Sequence, residues 1–190
     1  MEQLGPKATI MDEQAMARAV TRIAHEVIEN NEGSENIALV GIVRRGANLA
    51  QLLADEIGNI EGRRPKVGLL DISFYRDDVT RAISPVLHRT EIPFAVDGKD
   101  IILVDDVLFT GRTVRSALDA LMDFGRPRTV QLAVMVDRGH RELPVRADYV
   151  GKNVPSSREE DVRVCIRPLD DHSAVEIWDV AAEKKLGGAR

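Results

Sequence analysis

Ile101-Ile102-Leu103-Val104-Asp105-Asp106-Val107-Leu108-Phe109-Thr110-Gly111-Arg112-Thr113-Val114 is the stretch from which the rest of this chain can be read. Four apolar residues in succession predict a strand buried on both faces. Two adjacent carboxylates stand where that strand is expected to end. A short turn with two threonines and a glycine follows, and then Val114, Ala117, Leu118 and Leu121 recur at helical spacing. A strand–turn–helix unit of this kind turns backbone N–H groups, hydroxyls and a positive helix end toward an anion, the geometry of a phosphate cradle. The paired acids suit sugar hydroxyls or a phosphate-bound metal ion. A helix-capping turn would account for one carboxylate, not for two.

A second unit of the same form lies upstream. Ile37 to Val43 predicts a buried strand that runs into Arg44-Arg45-Gly46, and Ala47 to Ile57 then reads as a helix. Guanidinium groups bind phosphate in pairs of hydrogen bonds, and the following helix end favours an anion. Two such turns in one small α/β chain suit a ligand with phosphate at both ends: pyrophosphate at the first turn, a 5-phosphate at the second.

The 190 residues suit one domain, 1–190, and 44% hydrophobic with 30% charged residues is ordinary for a globular protein. No run approaches the roughly 18 apolar residues of a membrane span, and no signal-peptide core opens the chain. No membrane partner is expected. The single cysteine, Cys165, excludes an internal disulfide and fits a reducing cytoplasm. Between Val164 and Ile166 it reads as a packed thiol. A net charge of −5 excludes a broad nucleic-acid-binding surface while leaving room for a local basic patch.

In chain order, Asp12 to Asn31 predicts an amphipathic helix with Asp12 as N-cap. Met16, Val20, Ile23 and Val27 share one face; Arg18, Thr21, Arg22 and His25 share the opposite one. Lys66 to Ile72 predicts a strand. Residues 73–99, opening with Ser73-Phe74-Tyr75-Arg76-Asp77-Asp78, show little periodicity and read as a flexible lid. A helix over 112–124, stopped by Gly125, precedes a strand from Thr129 to Val136. Short strands follow near Ala147–Val150, Val162–Ile166 and Ala174–Trp178, with a turn at Gly151–Pro155. The fold class expected is α/β: a central, mostly parallel sheet flanked by helices, with a lid and a small strand-rich hood over about 145–180. In such sheets ligands bind at the carboxyl ends of the strands, where these turns lie.

The 101–113 segment resembles the phosphoribosyl-pyrophosphate (PRPP) signature of type I phosphoribosyltransferases. Thr21-Arg22-Ile23-Ala24-His25-Glu26, Asp71–Asp78, Asp137-Arg138-Gly139-His140-Arg141-Glu142-Leu143-Pro144 and Gly151-Lys152-Asn153-Val154-Pro155 resemble the PyrR family of pyrimidine operon regulators and uracil phosphoribosyltransferases. The resemblance runs from about Ile10 to Trp178. It implies two activities: transfer of uracil onto PRPP with Mg²⁺, giving UMP and diphosphate, and attenuation of pyrimidine operons by binding an mRNA leader stem-loop in response to UMP or UTP. It also implies a homodimer or higher homo-oligomer. Two departures are visible: relatives often have Lys-Thr-Arg-Gly where this chain has Val43-Arg44-Arg45-Gly46, and Asn30 stands where some carry a basic residue.

The roles follow residue by residue. Asp105 and Asp106 are assigned to the ribose and to charge at the anomeric carbon, near Mg²⁺ held mostly by substrate. Arg76 on the lid and Arg138 are further candidates for phosphate or transition-state charge. Arg44, Arg45 and Gly46 take pyrophosphate; Val107, Leu108, Phe109, Thr110, Gly111, Arg112 and Thr113 form the loop for the 5-phosphate. Tyr149, Val150 or the backbone near Val162 are expected at the base, by resemblance. The family's RNA surface falls on Arg18, Thr21, Arg22, His25, His140, Arg141, Arg146 and Lys152. Two alternatives stand beside this reading: an RNA-binding nucleotide sensor with little catalytic activity, and a phosphoribosyltransferase for another base.

Overall fold

Every residue of Ile37–Ile42 is buried, as are Asp100–Asp105 and Leu132–Val136. Strands with no exposed face must lie inside a sheet covered on both sides. The computed structural model, which describes residues 5–73, 75 and 90–180, has that arrangement. In chain order the elements are β1 Ala8–Met11, α1 Glu13–Asn30, β2 Ile37–Ile42, α2 Arg45–Glu61, β3 Lys66–Leu70, β4 Asp100–Leu108, α3 Arg112–Met122, β5 Thr129–Asp137, β6 Tyr149–Asn153, β7 Glu160–Cys165 and β8 Ala174–Asp179.

β3-β2-β4-β5-β6 form a five-stranded sheet, parallel throughout, and β1-β8-β7 form an antiparallel three-stranded hood. Strand pleating sorts the uninterrupted apolar runs into two cores. Leu39, Ile102, Val104, Ala133 and Met135 pack with α1, α2 and the hood; Val40, Ile101, Leu103, Leu132 and Val134 pack with α3. Each fully buried Leu or Ile contributes about 1.5–3 kcal/mol.

The helices begin and end for local reasons. The Asp12 carboxylate accepts the Ala15 amide at 2.7 Å, capping α1. Gly62, at φ +73°, closes α2 in the left-handed conformation. Gly111, at φ +92°, allows the sharp turn from β4 into α3.

The structure departs from the sequence expectations in four places. β1 pairs with β8 at the hood edge, where a four-residue strand carries too little periodicity to be read. β4 does not stop before the diacid: its ladder with β5 runs on to Leu108 opposite Asp137, so Asp105 and Asp106 lie within the strand. Gly151, Lys152 and Asn153 belong to β6 rather than to a turn, because β5 offers them a partner. The segment 73–99 is not all lid. Leu69 and Glu91 exchange backbone hydrogen bonds, and Val96 is wholly buried, so the chain from Glu91 onward is part of the body. Residues 74 and 76–89, including Arg76, lie outside the described residues.

Candidate functional site

The two turns read from the sequence meet at the carboxyl ends of β2 and β4. Gly41 and Gly46 bring them together. A Cβ on Gly41 would collide with Ala47; one on Gly46 would overlap the Val104 carbonyl oxygen and lie 3.1 Å from the Asp105 Cα. Only glycine lets the start of α2 approach β4 this closely. The Val43–Arg44 peptide is cis.

A cavity of about 530 Å³ opens beside this contact, lined by Arg44, Arg45, Asp71, Ser73, Asp105 and Asp106 among others. A second, of about 330 Å³, is lined by the loop Leu108 to Val114 together with Glu142. Asp105, Val107 and Thr113 line both. One ligand can therefore lie across the diacid with an end in each cavity.

Asp105 is buried, and its carboxylate accepts the Asp106 amide at 2.9 Å; Asp106 in turn accepts the Val107 amide at 2.9 Å. Burial raises the Asp106 carboxyl above its ordinary range, against the pull of these hydrogen bonds and of Arg45. Arg45 is held from the hood: its Nη2 and Nε donate to the two Asp170 oxygens at 2.9 and 3.3 Å. Burial opposes the Arg45 charge, but Asp170 and then Asp106 outweigh it and hold the guanidinium above its usual range. Arg44 is exposed beside it. At the far cavity Arg112 pairs with Glu142 at 2.8 Å, and the Thr110 carbonyl accepts the Glu142 and Leu143 amides.

Several of the expected site residues are held by hydrogen bonds within the protein. Arg138 is buried, donating to Ser156 Oγ and to the Ser157 and Glu160 carbonyls, with its guanidinium 4.2 Å from the Phe109 ring centroid. Burial lowers its pKa despite Asp161 and Glu160. It ties the hood to the loop after β5. Arg141 donates to the Val145, Phe109 and Gly139 carbonyls and pairs with Asp137. His140 Nε2 lies 2.5 Å from the Ser156 carbonyl and meets Phe109 edge-on. These two brace the loop after β5.

The residues expected at the base are packed into the two cores. Tyr149 is buried against α1, its hydroxyl donating to Gln131 at 2.5 Å. Val150 packs into the α3-side core and Val162 into the other. None of the three lines the two cavities at the strand ends. A third cavity there, of about 440 Å³, is lined by Asp137, Arg138, His140, Asn153, Pro155 and Ser156 among others. Nothing in the residue types of 153–156 announced it, because the hood's fold creates it.

On α1, Arg18, Thr21, Arg22 and His25 are all exposed. Arg22 donates to the Val150 and Gly151 carbonyls and pairs with Glu26, and Thr21 donates to Glu56. Lys152 joins this side through the Ile10 carbonyl at 3.2 Å, whereas Arg146 precedes Ala147 of the α3-side core. Asn30 donates to the Tyr149 hydroxyl at 3.1 Å. The residues expected at RNA therefore fall in two groups, with Lys152 bonded on the α1 side and His140 and Arg141 bonded within the loop after β5. Among the described residues, no helix is long and apolar enough to cross a membrane.

The sequence matches the phosphoribosyl transferase domain family over residues 7–167. It is 58% identical over 176 residues to the bifunctional protein PyrR of Pelotomaculum thermopropionicum, covering 92% of this chain and 97% of that one. Identity to the bifunctional protein PyrR of Acetivibrio thermocellus is 57% over 175 residues, covering 92% and 95%. Among solved structures, a hypoxanthine phosphoribosyltransferase of Trypanosoma cruzi superposes with a TM-score of 0.76 at 16% identity over the whole of both chains. One from Staphylococcus aureus gives 0.71 at 17% identity, over 96% and 99%. At that identity the likeness is one of fold.

Proposed function

This chain belongs to the phosphoribosyltransferase family as one of its bifunctional PyrR proteins, and from that premise we propose that it transfers the phosphoribosyl group of PRPP to uracil. The products are UMP and diphosphate. The observation that carries the reading is the pair of cavities joined at Asp105, Val107 and Thr113. PRPP has phosphate at both ends of a ribose, and this site has a phosphate-type turn on either side of a diacid.

The 5-phosphate lies against the amides and hydroxyls from Phe109 to Thr113, at the start of α3. Pyrophosphate lies against Arg44 and Arg45, with Asp170 aiming Arg45. Asp105 and Asp106 then face the ribose. Cleavage at the anomeric carbon builds positive charge on the sugar, and fixed carboxylates at that point stabilise it. Asp71, Asp105 and Asp106 supply the hard oxygen donors that suit Mg²⁺. When bound with PRPP, that ion would neutralise charge on the leaving pyrophosphate. Uracil would sit in the third cavity, lined by Arg138 and His140, both of which pack against the Phe109 ring. Arg76 remains assigned to the lid.

The same chain would regulate pyrimidine genes by binding an mRNA leader stem-loop, with Arg18, Arg22, His25 and Lys152 meeting the RNA backbone. Two copies would let the separated 140–146 region contribute to one RNA.

The test is a turnover assay of the purified protein with PRPP and each of uracil, orotate, hypoxanthine and guanine. Diphosphate release with uracil alone is expected. Release with a purine alone would overturn the base assignment, and release with none would leave the RNA-binding sensor as the reading.

A further inference from the structure

We propose that Cys165, His172 and Glu176 form a binding site for a divalent transition metal of the Zn²⁺ class, apart from the catalytic cavities. Cys165 ends β7 and Glu176 lies in β8, with Cys165 paired to Ala174 and Glu176 to Arg163. The two are thus diagonal neighbours on one face of an antiparallel pair, close enough for their side chains to meet. His172 comes from the turn between the strands. One ligand atom from each residue lies within 4.8 Å of the others. His172 Nε2 is 2.9 Å from Glu176 Oε1, and Cys165 Sγ is 4.0 Å from Glu176 Oε2.

Tetrahedral zinc with sulfur, nitrogen and oxygen ligands requires separations of roughly 3.3–3.6 Å between ligand atoms. Side-chain rotation of about an ångström reaches that from the geometry observed. The carboxylate is already oriented: the Trp178 indole donates to Glu176 Oε2 at 3.0 Å, the outer hydrogen bond that metal-binding carboxylates characteristically have. Cys165 and Glu176 are buried while His172 is half exposed, so an ion has a path in from solvent. A His172–Glu176 ion pair alone accounts for the carboxylate but leaves the thiol only a long contact to it, at 4.0 Å.

Metal binding would take Cys165 as thiolate, its proton passing to solvent, and His172 as neutral imidazole. Solvent takes the fourth position, because Asp170 is engaged by Arg45 and the Ile166 amide. Thiolate and imidazole select a softer ion than the carboxylates proposed for Mg²⁺, so the two sites do not compete.

Cys165 is the only cysteine in the chain, which makes the test unambiguous. Tag-free protein is titrated with Co²⁺ as a spectroscopic stand-in, then with Zn²⁺. A thiolate-to-cobalt charge-transfer band saturating at one ion per chain, and bleached by Zn²⁺, is expected. Cys165→Ser should abolish it. His172→Ala, at an exposed position, should weaken binding by at least roughly tenfold, the loss typical of removing even an outer-shell partner. No band at equimolar Co²⁺, or a band of undiminished affinity in His172→Ala, overturns the site.

Discussion

The Arg45 guanidinium sits in a fork with the Asp170 carboxylate, 2.9 Å from Nη2 to Oδ1 and 3.3 Å from Nε to Oδ2. A residue of the hood thereby aims the arginine of the first turn. Asp170→Asn should loosen that aim without touching substrate. With Arg45 partly exposed, the expected effect is a rise of roughly three- to tenfold in KM for PRPP, with kcat for uracil little changed. Steady-state kinetics with PRPP varied at saturating uracil checks this, and an unchanged KM refutes it.

Asp106→Asn keeps the shape of the diacid and removes one charge. If that charge stabilises the sugar cation, turnover should fall on the order of a hundredfold while RNA affinity is kept. Equal turnover in variant and parent would remove the electrostatic argument.

Gly46→Ala places a methyl group against the Val104 carbonyl. Overpacking against backbone should cost about 1–3 kcal/mol, and the displaced turn should lose turnover as well. Gly62→Ala is the contrast: its φ of +73° makes the change costly, by about 1 kcal/mol, but its surroundings are open and it is remote from the cavities. Denaturant melts with paired assays should find stability reduced in both and turnover reduced only in the first.

Asp100 is buried at the amino end of β4, where it accepts from Arg128, Thr129 and Asn36. Arg128 foremost holds this carboxyl below the usual range, against burial. A depressed folded value means stability that is complete above the ordinary carboxylate pKa of about 4. That stability is lost as the pH falls below it toward the folded value. Asp100→Asn should lose about 2 kcal/mol at neutral pH and show a shallower acid limb. Melts from pH 7 downward test both parts.

Arg18 and Arg22 share a helix face but not a task. Arg18→Ala should make the salt dependence of RNA binding shallower by about one unit of slope, with melting temperature and uracil turnover unchanged. Arg22→Ala should also lower the melting temperature, because its guanidinium holds the Val150 and Gly151 carbonyls. RNA titrations at several salt concentrations separate the two.

Much of the frame was legible because the chemistry is local. Runs such as Ile37–Ile42 and Ile101–Val104 have no polar side to expose, and the Gly-hydroxyl turns after them follow directly in sequence. The 110–113 turn and the Arg44–Gly46 turn line adjoining cavities. What stayed hidden depends on distant segments. Arg138, Arg141 and His140 look like binding residues in sequence, since a cation that braces carbonyls is spelled like one that meets phosphate. Tyr149 has the composition of a base platform, and only the positions of Gln131 and α1 reveal it as core. Asp170 gave no signal because its partner lies 125 residues away.

The missing side chain at Gly46 has a consequence for how the site can vary. With α2 resting on the backbone of β4, the spacing between the Arg44–Gly46 turn and the diacid is set by main chain. Replacing side chains around the cavities can retune charge and shape, but it cannot lengthen that span. A descendant of this chain seeking a longer leaving group would have to shift β2 against β4 by a whole register. The third cavity, walled by side chains and loop, can change by far smaller steps.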